Sequence, residues 1–284
     1  MSGETRDRTK GDGPGQGADP VMQAILQRAS IRRYEPRRLE PEKLEALLAA
    51  ALRAPTTAMG HFYSMIVVSD PALKAQLYEV CDRQRAMQGS EFVVFCVDIR
   101  RTDAWARHLG VRRLLSGYTA LLFGTIDMAL AAQNLVIAAA GMGLGTCYIG
   151  KIGHKAAEIC RLLSLPAGVL PVVGLTIGYP AESPQPRTRI PLRFMVHRDR
   201  YRDMTPDDID EALLALAGCE GGDPAELRSR AAEAASFFAG IIEGSWWQPG
   251  ERSLRKALVS QGMAPDGAAA PRAGEAGEEG EGRR

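Results

Sequence analysis

Along the chain, three short apolar runs bounded by turn residues stand out: Phe62–Ser69 (FYSMIVVS), Glu91–Asp98 (EFVVFCVD) and Val169–Tyr179 (VLPVVGLTIGY). Each is too short for a buried helix and rich in β-branched and aromatic residues, which predicts buried strands. Thr146–Ile149 predicts a fourth, shorter strand. Between them the pattern turns helical, over 21–29, from Pro41 to about Arg53, over 118–142 and over 154–163. Asp70-Pro71 is a capping residue followed by proline at the first helical position, and starts another helix that reaches about Asp82. Strands alternating with helices predict an α+β or α/β domain around a central sheet. Beyond about Met204 strand signals stop, and 206–218, 224–243 and 251–261 read as helices. The predicted organisation is a tail over 1–20, a core over 21–205, a helical C-terminal arm over 206–262, able to pack on the core or on a second subunit, and a tail over 263–284. Both tails are polar and rich in Gly, Pro and charge, a composition that does not support a packed core.

Composition narrows the function more by exclusion than by proposal. The chain has 284 residues, 45% of them hydrophobic, enough for a sizeable core. Its 35 Lys+Arg nearly cancel 34 Asp+Glu, which argues against a dedicated nucleic-acid binder. The stretch Tyr118–Gly145 is long and apolar, but Asp127, Gln133 and Asn134 in its middle argue for a core or interface helix rather than a membrane span. No membrane partner is expected. The five cysteines (Cys81, Cys96, Cys147, Cys160, Cys219) include no CxxC pair, and the four histidines show no ligand spacing. Neither a disulfide framework nor a metal site is expected, and a reducing, cytoplasmic setting is.

Gly141-Met-Gly-Leu-Gly145 imitates half of a dinucleotide fingerprint, but a helix precedes it and a strand follows, the reverse of what phosphate binding at a helix N-terminus requires. A helix cap and tight turn is the better reading. Two basic clusters differ in kind. Arg100, Arg101, Arg107, Arg112 and Arg113 read as a solvated surface. In the other, Arg28, Ser30 and Arg32 alternate, so in an extended segment two guanidiniums and a hydroxyl point the same way and make an anion cradle. Arg187-Thr-Arg189 repeats the alternation in a Pro-rich loop after the strongest strand. Two such segments suggest convergence on one phosphate, and so a phosphorylated cofactor.

These segments, in this order, resemble the FMN-dependent nitroreductase family, in particular its oxygen-insensitive NADPH nitroreductase and flavin reductase branch. The residues that carry the resemblance are Arg28-Ala-Ser-Ile-Arg-Arg-Tyr34, Arg53-Ala-Pro-Thr-Thr57, Glu91–Asp98, Asp127-Met-Ala-Leu-Ala-Ala-Gln-Asn134, Gly143-Leu-Gly-Thr-Cys-Tyr-Ile-Gly150 and Gly174–Pro180, followed by the Arg187/Arg189 pair. The resemblance implies an α+β fold with a central mixed sheet flanked by helices, and a homodimer with FMN at its interface. It implies that Arg28, Ser30, Arg187 and Arg189 hold the FMN phosphate. Arg32 would face the N1/C2=O edge and support the reduced flavin. Thr56 and Thr57 would approach from the partner subunit and Gln84 would meet the ribityl or pyrimidine edge. Tyr148, Ile149 and Gly150 would lie along the ring near N5.

The implied activity moves hydride from NADPH (or NADH) through flavin N5 to small-molecule acceptors such as nitroaromatics, quinones or flavins, by a ping-pong mechanism. No protein acid or base is obligatory for such chemistry. Two alternatives stay open on the residues alone: another reaction on the same fold, of the reductive dehalogenase kind, or a flavin-binding protein without catalysis.

Overall fold

The computed structural model describes residues 19–111, 117–218 and, except 231, 234, 237–238, 241–242 and 244–247, residues 229–264. Local chemistry sets the helix starts. Asp19 caps α1 (Pro20–Leu26), its carboxylate accepting from the Val21 and Met22 N–H groups at 2.8 and 3.4 Å. This helix opens inside the segment read as a tail and is shorter than the predicted 21–29. Pro41 opens α2 (Pro41–Leu52), and Asp70 caps α3 (Pro71–Val80) by accepting from Ala72 N at 2.9 Å. The remaining elements of the core are β1 (Tyr63–Val67), β2 (Glu91–Asp98), α4 (Arg100–His108), α5 (Gly117–Gly141), β3 (Gly145–Ile149), α6 (Lys151–His154), α7 (Ala156–Leu162) and β4 (Val169–Gly178). Gly143 supplies the cap read from the sequence: with φ at +70°, it lets Leu144 N reach Ala139 O and its own N–H reach Ala140 O.

The strands form one four-stranded sheet in the order β1-β2-β4-β3. A mixed sheet was expected, but every pairing among these strands is antiparallel. The connections explain this. The chain leaves β1 through α3, and β3 through α6 and α7, but each time it returns to start the neighbouring strand from the same end, so these helices are not parallel crossovers. β2 is buried on both faces, which is why it reads as an uninterrupted apolar run. Val93 and Phe95 meet Leu47, Ala51 and Leu135 of α2 and α5 on one side. Phe92, Val94 and Cys96 meet Leu77, Ile152 and Ile159 of α3, α6 and α7 on the other. Pro171 sits in β4 where the register with β2 shifts and where β3 no longer pairs, so its missing N–H costs no ladder bond on that side.

Of the C-terminal arm, α8 (Pro206–Leu216) starts with a reciprocal capping box between Thr205 and Asp208. A final helix, α9 (Gln248–Ser260), packs on α6 and α7 of its own chain. Met263, placed in the tail by the sequence reading, is fully buried against Leu170 and Val97 and belongs to the core. The predicted 224–243 helix lies largely outside the described residues.

Candidate cofactor site

The extended segment after α1 runs beside β3: Ile31 N donates to Thr146 O at 2.9 Å, and Tyr34 bridges Pro180 just past β4. Close approach requires Gly145, where a Cβ would lie 2.7 Å from the Ile31 side chain. Burying Ile31 turns its neighbours Ser30 and Arg32 outward, as the alternation predicts. Burial pushes the Cys147 thiol up, and both guanidiniums pull it back down, Arg32 more than Arg28. Arg28 also opposes the burial that raises the Tyr148 phenol to about 12. Among the described residues neither the Arg28 guanidinium nor the Ser30 hydroxyl has a hydrogen-bond or carboxylate partner, and Arg32 makes only a 3.4 Å bond to Ser30 O. Arg28 also borders a concavity of about 280 Å³ whose walls include Ile31, Ala140, Thr146, Glu182 and Ser183 but neither Ser30 nor Arg32. Cations and a hydroxyl left open along one short segment fit the phosphate end of a flavin mononucleotide.

Glu182, which the sequence reading did not single out, fixes this segment. Its Oε1 accepts from the Arg32 and Arg33 N–H groups, and these two bonds hold its carboxyl below the usual carboxylate range. One carboxylate thus sets the backbone from which Arg32 projects. A second tie lies nearby: the Tyr179 hydroxyl donates to Glu40 Oε2 at 2.6 Å and accepts from Lys43 Nζ at 2.6 Å, and the Arg37 guanidinium lies 3.8 Å from the Tyr179 ring centre.

The other expected contacts fall into three groups. Tyr148 and Ile149 lie on β3 beside the cradle, Ile149 buried and Tyr148 37% exposed, its hydroxyl 3.4 Å from Gln133 Oε1. Gly150 is the exposed residue that opens α6, and Gln84 opens a 3-10 turn, Arg85–Gln88, that packs on β3. Arg187 and Arg189 are not brought onto the cradle within the described chain. The loop lines the first hollow with Ser183 and Pro184, then a second one, with the end of α8, through Arg187 and Arg189. Arg189 turns back on the Arg187 and Thr188 carbonyls at 3.1 and 3.3 Å.

Thr56 and Thr57 stand apart. Thr57 is bonded to Asp127 in the middle of α5, through its N–H at 2.8 Å and its hydroxyl at 2.9 Å, beside the start of β1. The hollow beside Arg28 meets α5 at Ala140. Thirteen residues of helix separate the two, about 20 Å at 1.5 Å per residue. They occupy opposite edges of the sheet as well, β1 against β3. One chain does not bring them to one ligand.

Asp127 and Arg101 were missed as positioning groups. The sequence shows Asp127 only as a charge in an apolar helix, and places Arg101 in a solvated cluster. Instead Arg101 donates to Ser64 Oγ, Asp98 Oδ2 and the His61 and Tyr63 carbonyls. Apart from Asp98, three positions back at the end of β2, these partners lie on β1 and in the segment before it, and nothing in the local sequence signals them.

The fold and this corner define an α+β protein with an open cationic cradle at one end of an antiparallel sheet. The sequence model of the Nitroreductase family matches residues 25–179, and the chain belongs to that family. It is 35% identical over 190 residues to the FMN reductase (NADPH) of Bacillus subtilis, covering 66% of this chain and 76% of that one. It is 33% identical over 199 residues to the oxygen-insensitive NADPH nitroreductase of Salmonella typhimurium, covering 69% and 78%. Among solved structures, NfrA2 of B. megaterium superposes with a TM-score of 0.75 at 26% identity, covering 86% of this chain and 98% of that one. The NADPH:FMN oxidoreductase of Vibrio harveyi complexed with NAD+ gives 0.66 at 26% identity, over 75% and 92%.

Proposed function

We propose that the chain is an FMN-dependent oxidoreductase that draws electrons from NADPH or NADH and delivers them to small acceptors such as nitroaromatics, quinones or free flavins. The observation that carries this reading is the open set of Arg28, Ser30 and Arg32 on the segment that runs beside the start of β3, taken with relatives that are named as NADPH-dependent FMN reductases and nitroreductases. Bound FMN supplies the hydride-accepting N5. Arg28 and Ser30 hold its phosphate end; Arg187 and Arg189 line a separate hollow of this chain and are left out of that contact. Arg32 sets a fixed positive charge where negative charge develops, Gln84 bonds the pyrimidine or ribityl edge, and Tyr148, Ile149 and Gly150 form the wall beside the ring. With one open face for donor and acceptor, the two bind in turn and the kinetics are ping-pong.

The functional unit is a homodimer. The cradle and the Thr56–Thr57 segment lie too far apart in one chain to share a ligand, and a second copy brings them together. α5 also exposes Tyr118, Leu122, Ile126 and Leu130, four large apolar residues at intervals of four, at 41–65%. Such a stripe suits burial against a second copy. The four cysteines among the described residues are buried and free, which fits a cytoplasmic location. The purified chain is expected to carry one FMN per subunit, and acceptor-varied double-reciprocal plots at several NADPH levels are expected to be parallel. A colourless protein that takes up no added FMN, or intersecting lines, would refute the assignment.

A further inference from the structure

The segment between α2 and β1 is the most strained part of the described chain. Ala58, Met59 and His61 have φ of 47°, 56° and 45°, in the left-handed region that residues with a Cβ avoid. Met59 nevertheless stands 82% exposed, so core burial does not explain the shape of the segment. It is gripped from two sides by opposite charges. Asp127, 1% exposed, accepts from Thr57 N, Thr57 Oγ1 and, at 3.3 Å, Phe62 N. Arg101 donates to His61 O at 3.0 Å and Tyr63 O at 3.2 Å. A carboxylate thus takes N–H groups at both ends of the strained turn, while a guanidinium takes carbonyls at its exit. Arg101 is itself fixed by Ser64 and Asp98. Gly124 makes the carboxylate's reach possible: a Cβ there would lie 2.8 Å from Phe62 O, and one helical turn further on Asp127 meets the segment. Burial and Asp127 raise the Tyr63 phenol, and Arg101 lowers it.

Strain of this kind persists only where the surroundings over-determine it, and it marks segments whose shape is used. We propose that Asp127 and Arg101 are positioning residues that hold the Thr56–His61 turn in the shape in which it completes the flavin site of the other subunit. This rests on the two-subunit reading above and deepens it. Neither residue touches the cofactor; each acts through the backbone of the turn, and so on the site of the partner and not of its own chain.

The test uses the full-length dimer, apo protein titrated with FMN by fluorescence quenching, and light scattering for mass. Asp127→Asn leaves the dimer mass unchanged and weakens FMN binding at least tenfold. Adding Ala58→Gly, which relieves strain at a left-handed position, recovers part of that loss. The decisive arm is a mixed dimer, made by co-expression with two tags, of an Asp127→Asn chain and an Arg28→Ala/Arg32→Ala chain. If the turn acts across the interface, one site of the mixed dimer has an intact cradle and an intact turn, and half of the tight FMN sites return although neither homodimer has any. No return of tight sites, or wild-type FMN affinity in Asp127→Asn, overturns the proposal. The two-subunit reading fails separately, if the cradle variant keeps wild-type affinity or the wild-type chain is a monomer. Should Asp127→Asn not fold, Arg101→Lys loosens the same turn from its other side and is put through the same mixed-dimer arm.

Discussion

Among the described residues, the Arg28 guanidinium and the Ser30 hydroxyl have no hydrogen-bond partner. Arg101, Glu182 and Asp127 all spend their charge on backbone groups, whereas the cradle side chains are left open to an anion. Arg28→Ala is therefore expected to weaken FMN binding by about 1.5–3 kcal/mol, the range for a charge-assisted hydrogen bond, with little change in thermal stability. Flavin retention after exhaustive dialysis equal to wild type would remove Arg28 from the site. At this scale the sequence was legible where chemistry follows a period. Arg28, Ser30 and Arg32 share a side because an extended chain alternates, and buried Ile31 confirms the phase. It was not legible at Asp127 and Arg101. Their meaning lies in groups 70 and 37–40 positions away in the chain, and no local pattern encodes those pairings.

Elements carry a different set of expectations. The tie between the start of α2 and the end of β4 depends on ionised Glu40, whose carboxyl is lowered to about 2, first by the Tyr179 hydroxyl and then by its own backbone N–H and Arg37. A carboxyl depressed in the folded state adds stability that is full above its unfolded value, 4.5, and lost as pH falls through about 2. Tyr179→Phe is expected to raise the Glu40 midpoint, read by NMR of its side-chain carboxyl; an unchanged midpoint would show that the hydroxyl is not the main cause. At the other end of the core, Gly143→Ala places a Cβ at φ +70° and is expected to cost about 1 kcal/mol in urea unfolding. No loss would mean that the turn after α5 has another conformation. Strand and helix positions were readable from caps and apolar runs, often to within a residue or two. Strand direction was not, because a helix between two strands is compatible with a parallel crossover and with a return to the same end.

For the whole molecule, the central expectation is a flavoenzyme that exists only as a pair. Placing charge on the α5 stripe by Leu122→Glu together with Ile126→Glu is expected to halve the mass seen by light scattering and to abolish tight FMN binding, although neither residue is near the cradle. A monomer that still held FMN tightly would place the whole site in one chain. The sequence indicated an apolar helix suited to burial, but the separation of the turn from the cradle became visible only when both were located along α5 and across the sheet. The most direct measurement is the visible absorbance of the purified dimer mixed with NADPH under argon. The yellow colour is expected to bleach, and to return when a quinone or nitroaromatic is then added. Colour that persists with excess NADPH and NADH, in protein shown to hold one FMN per subunit, would contradict it.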